Sequence, residues 1–151
     1  GRAFTKSQIA AGALLPDSGT VFVSVRDGDK AGIVEPVREL LALGFDVVST
    51  IGTRRALEAA GLEVAAVQKA HEGRPNIVDL ITDGAVAMVI NTTEGAQAIR
   101  DSFALRRAAL VQRVPYYTTG AGARAAVRAM RALRTAPLEV RPLQSYAASL
   151  Q

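Results

Sequence analysis

The sequence predicts a three-layer α/β/α domain built on a mainly parallel sheet of about five strands. Three observations carry that prediction. Short β-rich runs alternate with stretches of helical period along most of the chain, the pattern of successive βαβ units. The strand candidates are nearly continuously apolar, as strands covered by helices on both faces must be. The length, 151 residues, suits one domain with one core.

Residues 1–20 carry Gly12, Pro16, Asp17 and Gly19 without a sustained period, so they are expected to form a lead-in segment or linker, with the domain proper over 21–151. Val21 to Val25 is the first strand. From Lys30 to Leu43, Ile33, Val34, Val37, Leu40 and Leu41 fall on one helical face, and Gly44 ends that helix. A second strand covers Phe45 to Thr50. Ile51-Gly52-Thr53 leads from it into a helix over Arg54 to Ala60, closed by Gly61. The alternation continues with a strand at Glu63 to Val67, a short helix at Ile77 to Thr82, a strand at Val86 to Ile90 and a helix at Glu94 to Leu110. A short final strand is expected at Tyr116 to Thr119, then a helix at Ala121 to Leu133 before Pro137.

Ligands of open parallel sheets lie outside the carboxyl ends of the strands, where loops and helix starts converge. The sequence sets polar residues at those ends: Arg26 to Lys30, Thr50 to Thr53, Gln68-Lys69 and Asn91 to Gly95. Thr50, Thr53, Asn91, Thr92 and Thr93 supply short hydroxyl and amide groups, and Lys30 and Lys69 add compact positive charge. Helix starts supply oriented N–H groups that favour an anion. These are the parts of a phosphate cradle, and without a Walker loop or a Gly-x-Gly-x-x-Gly fingerprint a monophosphate fits better than a triphosphate or dinucleotide. Thr50, Thr53 and Asn91 can each equally cap a helix; the convergence of four loops favours binding.

No catalytic set is assembled. His71, the single histidine, stands beside Glu72 and can serve as a general base or as a loop residue bonded to backbone. Asp79 and Asp101 fall on helices, where surface or salt-bridge roles are as good a reading. Ser102 lacks nucleophile-elbow glycines.

The chain has no cysteine, which excludes disulfides, thiolate nucleophiles and cysteine metal sites and is compatible with a reducing cytoplasm. No apolar run approaches the ~20 residues that span a bilayer, and no signal peptide or membrane association is expected. A composition of 49% hydrophobic and 21% charged residues is that of a globular protein. The chain does not begin with Met, from which an excised or processed piece is expected. The net charge of +4 raises nucleic acid as a partner. Yet Arg100, Arg106, Arg107, Arg113, Arg124, Arg128, Arg131 and Arg134 lie at helical spacings among alanines, without interleaved aromatics. A solvated or interdomain helix face is expected, and no nucleic acid.

In the blocks Ser24 to Lys30, Gly52-Thr53, Lys69-Ala70-His71-Glu72-Gly73-Arg74-Pro75 and Asn91-Thr92-Thr93, the chain resembles the methylglyoxal-synthase-like domain that closes the carbamoyl phosphate synthetase large chain. Ala3 to Gln8 is similar to the segment entering that domain, so the likeness runs nearly end to end. The resemblance implies a noncatalytic regulatory domain that binds uridine monophosphate as inhibitor and inosine monophosphate as activator in overlapping positions. Carried over residue by residue, the effector contacts are Lys30, Thr50, Thr53, Lys69, Asn91, Thr92 and Thr93, with Ser102 nearby. Tyr116 and Thr118 would contribute to an ornithine site at the boundary with the preceding synthetase domain. Two positions depart from relatives: Tyr117 stands where an acidic residue can occur, and Ile51 where a histidine can.

For the whole enzyme the resemblance implies a glutamine-dependent, cytoplasmic ligase that serves pyrimidine and arginine biosynthesis. Its partners would be the preceding synthetase domains and a small glutaminase chain, with homo-oligomerisation left open. ATP, magnesium or manganese, and potassium would act there, and no cofactor in this domain. Two other readings stand beside it: a lyase of the methylglyoxal synthase kind acting on dihydroxyacetone phosphate, with Asp27 and Asp29 as candidate acids, and a basic nucleic-acid-binding module.

Overall fold

The computed structural model describes residues 15–135. The similarity over Ala3 to Gln8, most of the expected lead-in segment and the tail beyond Pro137 lie outside these residues. Five strands, β1 (Thr20–Ser24), β2 (Asp46–Ser49), β3 (Ala65–Ala66), β4 (Met88–Asn91) and β5 (Tyr116–Tyr117), form one sheet in the order β3-β2-β1-β4-β5. Every pairing is parallel. The helices are α1 (Lys30–Ala42), α2 (Ile51–Ala59), α3 (Ile77–Thr82), α4 (Ala96–Val111) and α5 (Gly120–Thr135), and a 3-10 turn at Asp27–Asp29 precedes α1.

Period two along the strands divides the core. Val21 and Val23 of β1, Val25 just beyond it, Val47 of β2, and Met88 and Ile90 of β4 face Ile33, Val37, Leu40 and Leu57 from α1 and α2. Ala123, Val127 and Met130 of α5 complete this layer. On the opposite face Phe22 and Val89 meet Ile77 and Ile81 of α3 and Leu105 and Ala109 of α4. The central strands are thus covered on both sides, which is why they read as unbroken apolar runs. Gly19, at φ +120°, lets the start of β1 pass close to β4; a Cβ there would stand 2.9 Å from that of Ala87.

Several boundaries differ from expectation, each for a local reason. Helix α2 begins at Ile51, three residues earlier than the sequence suggests, because Thr50 is extended (φ −69°, ψ 160°) and its carbonyl already accepts from the Arg54 N–H at 2.8 Å. Ile51-Gly52-Thr53 is therefore the first turn of a helix, not a loop. Strand β5 stops at Tyr117, since Thr119 turns the chain into α5: its hydroxyl accepts from Gly122 N and its carbonyl from Ala123 N. Helix α4 starts at Ala96, after Gly95 in a left-handed conformation (φ 97°).

Most of the arginines from Arg100 onward lie on exposed helix faces and several turn back onto the domain; Arg113 instead stands in the turn after α4, at φ 57°. Arg131 pairs with Glu39 of α1 at 3.0 Å, Arg134 donates to the Leu43 and Asp17 carbonyls, and the Arg106 guanidinium covers the Tyr116 ring at 4.8 Å. None of the helices among the described residues is long and apolar enough to cross a membrane.

Asn76 organises the approach to α3. Its side-chain oxygen accepts from Val78 N and Asp79 N while the Asp79 carboxylate accepts from Asn76 N, a reciprocal cap. Its amide nitrogen donates to the Gly73 carbonyl at 2.7 Å, so one side chain ties the helix start to the preceding loop. Asn76→Ala is expected to lower stability by about 1–2 kcal/mol, with the loss read by urea denaturation; an unchanged midpoint would show that the cap contributes nothing.

Candidate functional site

Connections leave β1 towards β2 and β3 on one side and reach β4 and β5 on the other, so the strand order reverses between β1 and β4. In such sheets that switch point opens a crevice at the carboxyl ends of the two strands. An open cavity of about 580 Å³ occupies this place, within the range of small-molecule sites.

The chain leaving β1 is fastened from both sides. The Thr53 hydroxyl accepts from Val25 N at 3.1 Å and donates to Val25 O at 3.4 Å. The Thr92 hydroxyl accepts from Arg26 N at 2.9 Å, and Thr92 N donates to Ser24 O at 3.0 Å. Ser24 and Thr50 join their hydroxyls at 2.9 Å. Thr50, Thr53 and Thr92 are all buried. Neither Thr50 nor Thr53 works as the helix cap that the sequence also allowed: Thr50 holds the N-cap position of α2 without a capping hydrogen bond, and Thr53 lies inside the first turn. The first N–H groups of α2 are left without a side-chain partner, as an anion at a helix start requires.

Lys30 reaches over this helix start. A Cβ built on Gly52 would stand 3.2 Å from the Lys30 ammonium, so glycine there makes room for the charge. Lys30 also bonds Asp27 at 2.6 Å, and this bond together with the ammonium charge holds the Asp27 carboxyl below its ordinary value. Asp27 is exposed, and such a pair exchanges readily for a stronger anion. Lys69 sits in a turn closed by its own N–H donating to Glu72 Oε1 at 2.7 Å, with Gln68 Nε2 bonded to the Pro75 carbonyl.

Of the residues singled out from sequence, Lys30, Thr50, Thr53, Lys69, Asn91 and Thr92 line one cavity. Thr93 and Ser102 are not among the lining residues; Ser102 donates to the Ile99 carbonyl at 2.6 Å. Asn91 donates through its side chain to the Tyr116 hydroxyl at 2.9 Å, linking the cavity wall to β5. Burial raises the Tyr116 and Tyr117 phenols above their ordinary value. Thr118 follows in an exposed position. Asp29 pairs with Arg26, and Asp79 with Arg74 at 2.7 Å, which draws its carboxyl below the usual range.

One arrangement was not visible in the sequence. His71 Nδ1 lies 2.6 Å from Asp101 Oδ2, and Gln97 Nε2 donates to Asp101 Oδ1 at 3.0 Å. All three residues line the cavity. The sequence pointed to Glu72 or backbone as the partner of His71; the loop instead sets the ring against α4. The spacing of Gln97 and Asp101 by four on one helix face was the available signal, but their partner lies 30 residues earlier. Among the described residues no group of three or more histidine, aspartate or glutamate side chains is placed to hold a metal.

Fold and cavity together define an open, doubly wound parallel α/β domain with a crevice lined by polar and charged residues at its switch point. A family model described as MGS-like domain matches residues 32–118, and the chain belongs to that family. It is 54% identical over 144 residues to the carbamoyl phosphate synthase large chain of Myxococcus xanthus, covering 95% of this chain and 13% of that protein. The corresponding large chains of Brucella suis and Rhizobium meliloti are 51% and 54% identical, again over 95% of this chain and 12% of theirs. The chain therefore spans about an eighth of the length of these relatives. Among solved structures, methylglyoxal synthase from Elizabethkingia anophelis superposes with a TM-score of 0.60 at 21% identity, covering 75% of this chain and 79% of that one; the likeness establishes the shared fold.

Two expected outcomes follow from the site. Thr53→Val keeps the shape but strands the buried Val25 N–H, so stability should fall by about 1–3 kcal/mol; calorimetric melting checks this, and an unaltered Tm would contradict the fastening role. Because the folded phenols of Tyr116 and Tyr117 lie above the unfolded value of about 10, stability should be intact below that pH and decline as pH rises through the folded values. Ultraviolet titration should show two of the three tyrosines ionising late.

Proposed function

We propose that the cavity binds a nucleoside monophosphate as a regulatory effector and carries no chemical step of its own. The carrying observation is the convergence of Lys30, Lys69 and the uncapped start of α2 on one crevice. The phosphate sits against the α2 N–H groups and the Lys30 ammonium, displacing the exposed Asp27 carboxylate. Thr50 and Thr92 add hydroxyls, Thr53 and Asn91 hold the walls, and Thr93 and Ser102 stand outside the lining. Occupancy shifts an equilibrium between two states only by the difference in affinity for them. The Asn91–Tyr116 hydrogen bond offers a route from the cavity to β5, where Tyr116 and exposed Thr118 contribute to an ornithine contact with a preceding domain.

In this reading the chain is the regulatory part of a glutamine-dependent carbamoyl phosphate synthase in the cytoplasm, supplying pyrimidine and arginine biosynthesis. ATP, magnesium or manganese, and potassium are held by synthetase domains outside the chain, and a small glutaminase chain delivers ammonia. Uridine monophosphate inhibits and inosine monophosphate activates. Names and coverage of the relatives support this assignment.

The His71–Asp101 pair favours one second reading, a lyase releasing phosphate from dihydroxyacetone phosphate, in which the imidazole moves a proton. Two measurements on the full-length protein separate the two. Effector titration should give saturable responses to uridine and inosine monophosphate, weakened about tenfold or more by Lys30→Ala or Lys69→Ala, the loss of a charged hydrogen bond. Unchanged midpoints in both variants would refute the site, and methylglyoxal released from dihydroxyacetone phosphate would favour the lyase.

A further inference from the structure

We infer that His71, oriented by Asp101, selects nucleobases that present a ring N–H, such as uracil and hypoxanthine, over those presenting a bare ring nitrogen, such as cytosine and adenine. The inference rests on the nucleotide reading of the cavity. Its lining comes from two layers of the fold. Lys30, Gly52 and Thr53 belong to α1 and α2 on one face of the sheet, whereas Ile77, Gln97, Asp101 and Leu105 belong to α3 and α4 on the other. A ligand with its phosphate at the start of α2 crosses the ends of β1 and β4 and leaves its base among Ile77, Leu105 and Ala70. His71 and Asp101 supply the polar edge of that end.

The carboxylate decides what His71 offers. Asp101 is buried, and each of its oxygens accepts a hydrogen bond, one from Gln97 and one from the imidazole. An ionised carboxylate only accepts, so the proton of the neutral ring resides on Nδ1. Nε2 then carries a lone pair, and no described residue bonds it. At a cavity wall this nitrogen accepts from a ring N–H and repels another lone pair. Uracil and hypoxanthine differ in size but share an N–H flanked by carbonyl chemistry; cytosine and adenine place an acceptor at the equivalent edge. One fixed acceptor thus lets a single crevice take a pyrimidine and a purine while rejecting their amino counterparts.

The test is calorimetric binding to the full-length protein at about pH 8.5, well above the ordinary histidine value. The ligands are uridine, cytidine, inosine and adenosine monophosphates, with ribose 5-phosphate as a probe lacking a base. The wild type should prefer uridine over cytidine monophosphate, and inosine over adenosine monophosphate, by about tenfold or more, the scale of an acceptor left facing an acceptor. His71→Phe keeps ring bulk without the acceptor, so both ratios should fall towards one while ribose 5-phosphate binds as before. In Asp101→Asn the amide oxygen stays with Gln97 and its NH2 group faces Nδ1, moving the ring proton to Nε2; cytidine monophosphate should then gain over uridine monophosphate. A merely structural histidine would not shift the ratios in opposite directions. Equal wild-type affinities for uridine and cytidine monophosphate, or a preserved ratio in His71→Phe, would overturn the inference while leaving the nucleotide site standing. Failure of every ligand, ribose 5-phosphate included, would overturn both.

Discussion

The backbone immediately after β1 must change direction at the point where the sheet reverses its winding, and its polar groups there have no strand to pair with. Buried N–H and carbonyl groups without partners cost about 1–3 kcal/mol each. Thr53 from α2 and Thr92 from the end of β4 supply partners for Val25 and Arg26, and Ser24 joins Thr50 beside them. Three segments far apart in sequence become one rigid edge. The mouth of the cavity is that edge.

This fastening shapes the crevice. Because Thr53 is held by the β1 strand end, α2 starts where its N–H groups look out over the crevice, and Gly52 leaves room for the Lys30 ammonium above them. The threonines therefore act largely through the backbone they position. A phosphate needs preorganised donors more than numerous ones, since donors already held in place lose little freedom on binding. The opposite wall, from α3, α4 and the loops leading into them, sets apolar Ala70, Ile77 and Leu105 beside polar His71, Glu94, Gln97 and Asp101, a composition suited to a ring with a polar edge.

Much of this was legible in the sequence. Val21 to Val25 and Val86 to Ile90 announced central strands because a strand covered on both faces cannot alternate. The strand-end loops holding Lys30, Thr50, Lys69 and Asn91 announced the crevice, because parallel topology gathers such loops together. The start of α2 was misplaced because Gly52 reads as a helix breaker, while here it is needed for the approach of Lys30. The His71–Asp101 pair and the backbone partners of Thr53 were hidden for a common reason: each joins residues some 30 positions apart. Local pattern carries no register for such contacts, only for the helix face on which Gln97 and Asp101 both lie.

In the proposed function everything turns on an anion settling at the start of α2 within the β1–β4 crevice. Backbone amide chemical shifts during titration of the full-length protein with uridine monophosphate test it most directly. The largest, saturable changes are expected at Gly52, Thr53 and Thr92, with smaller ones at His71 and Asp101. Changes confined to the arginine-bearing outer faces of α4 and α5, with Gly52 and Thr53 unmoved, would contradict it.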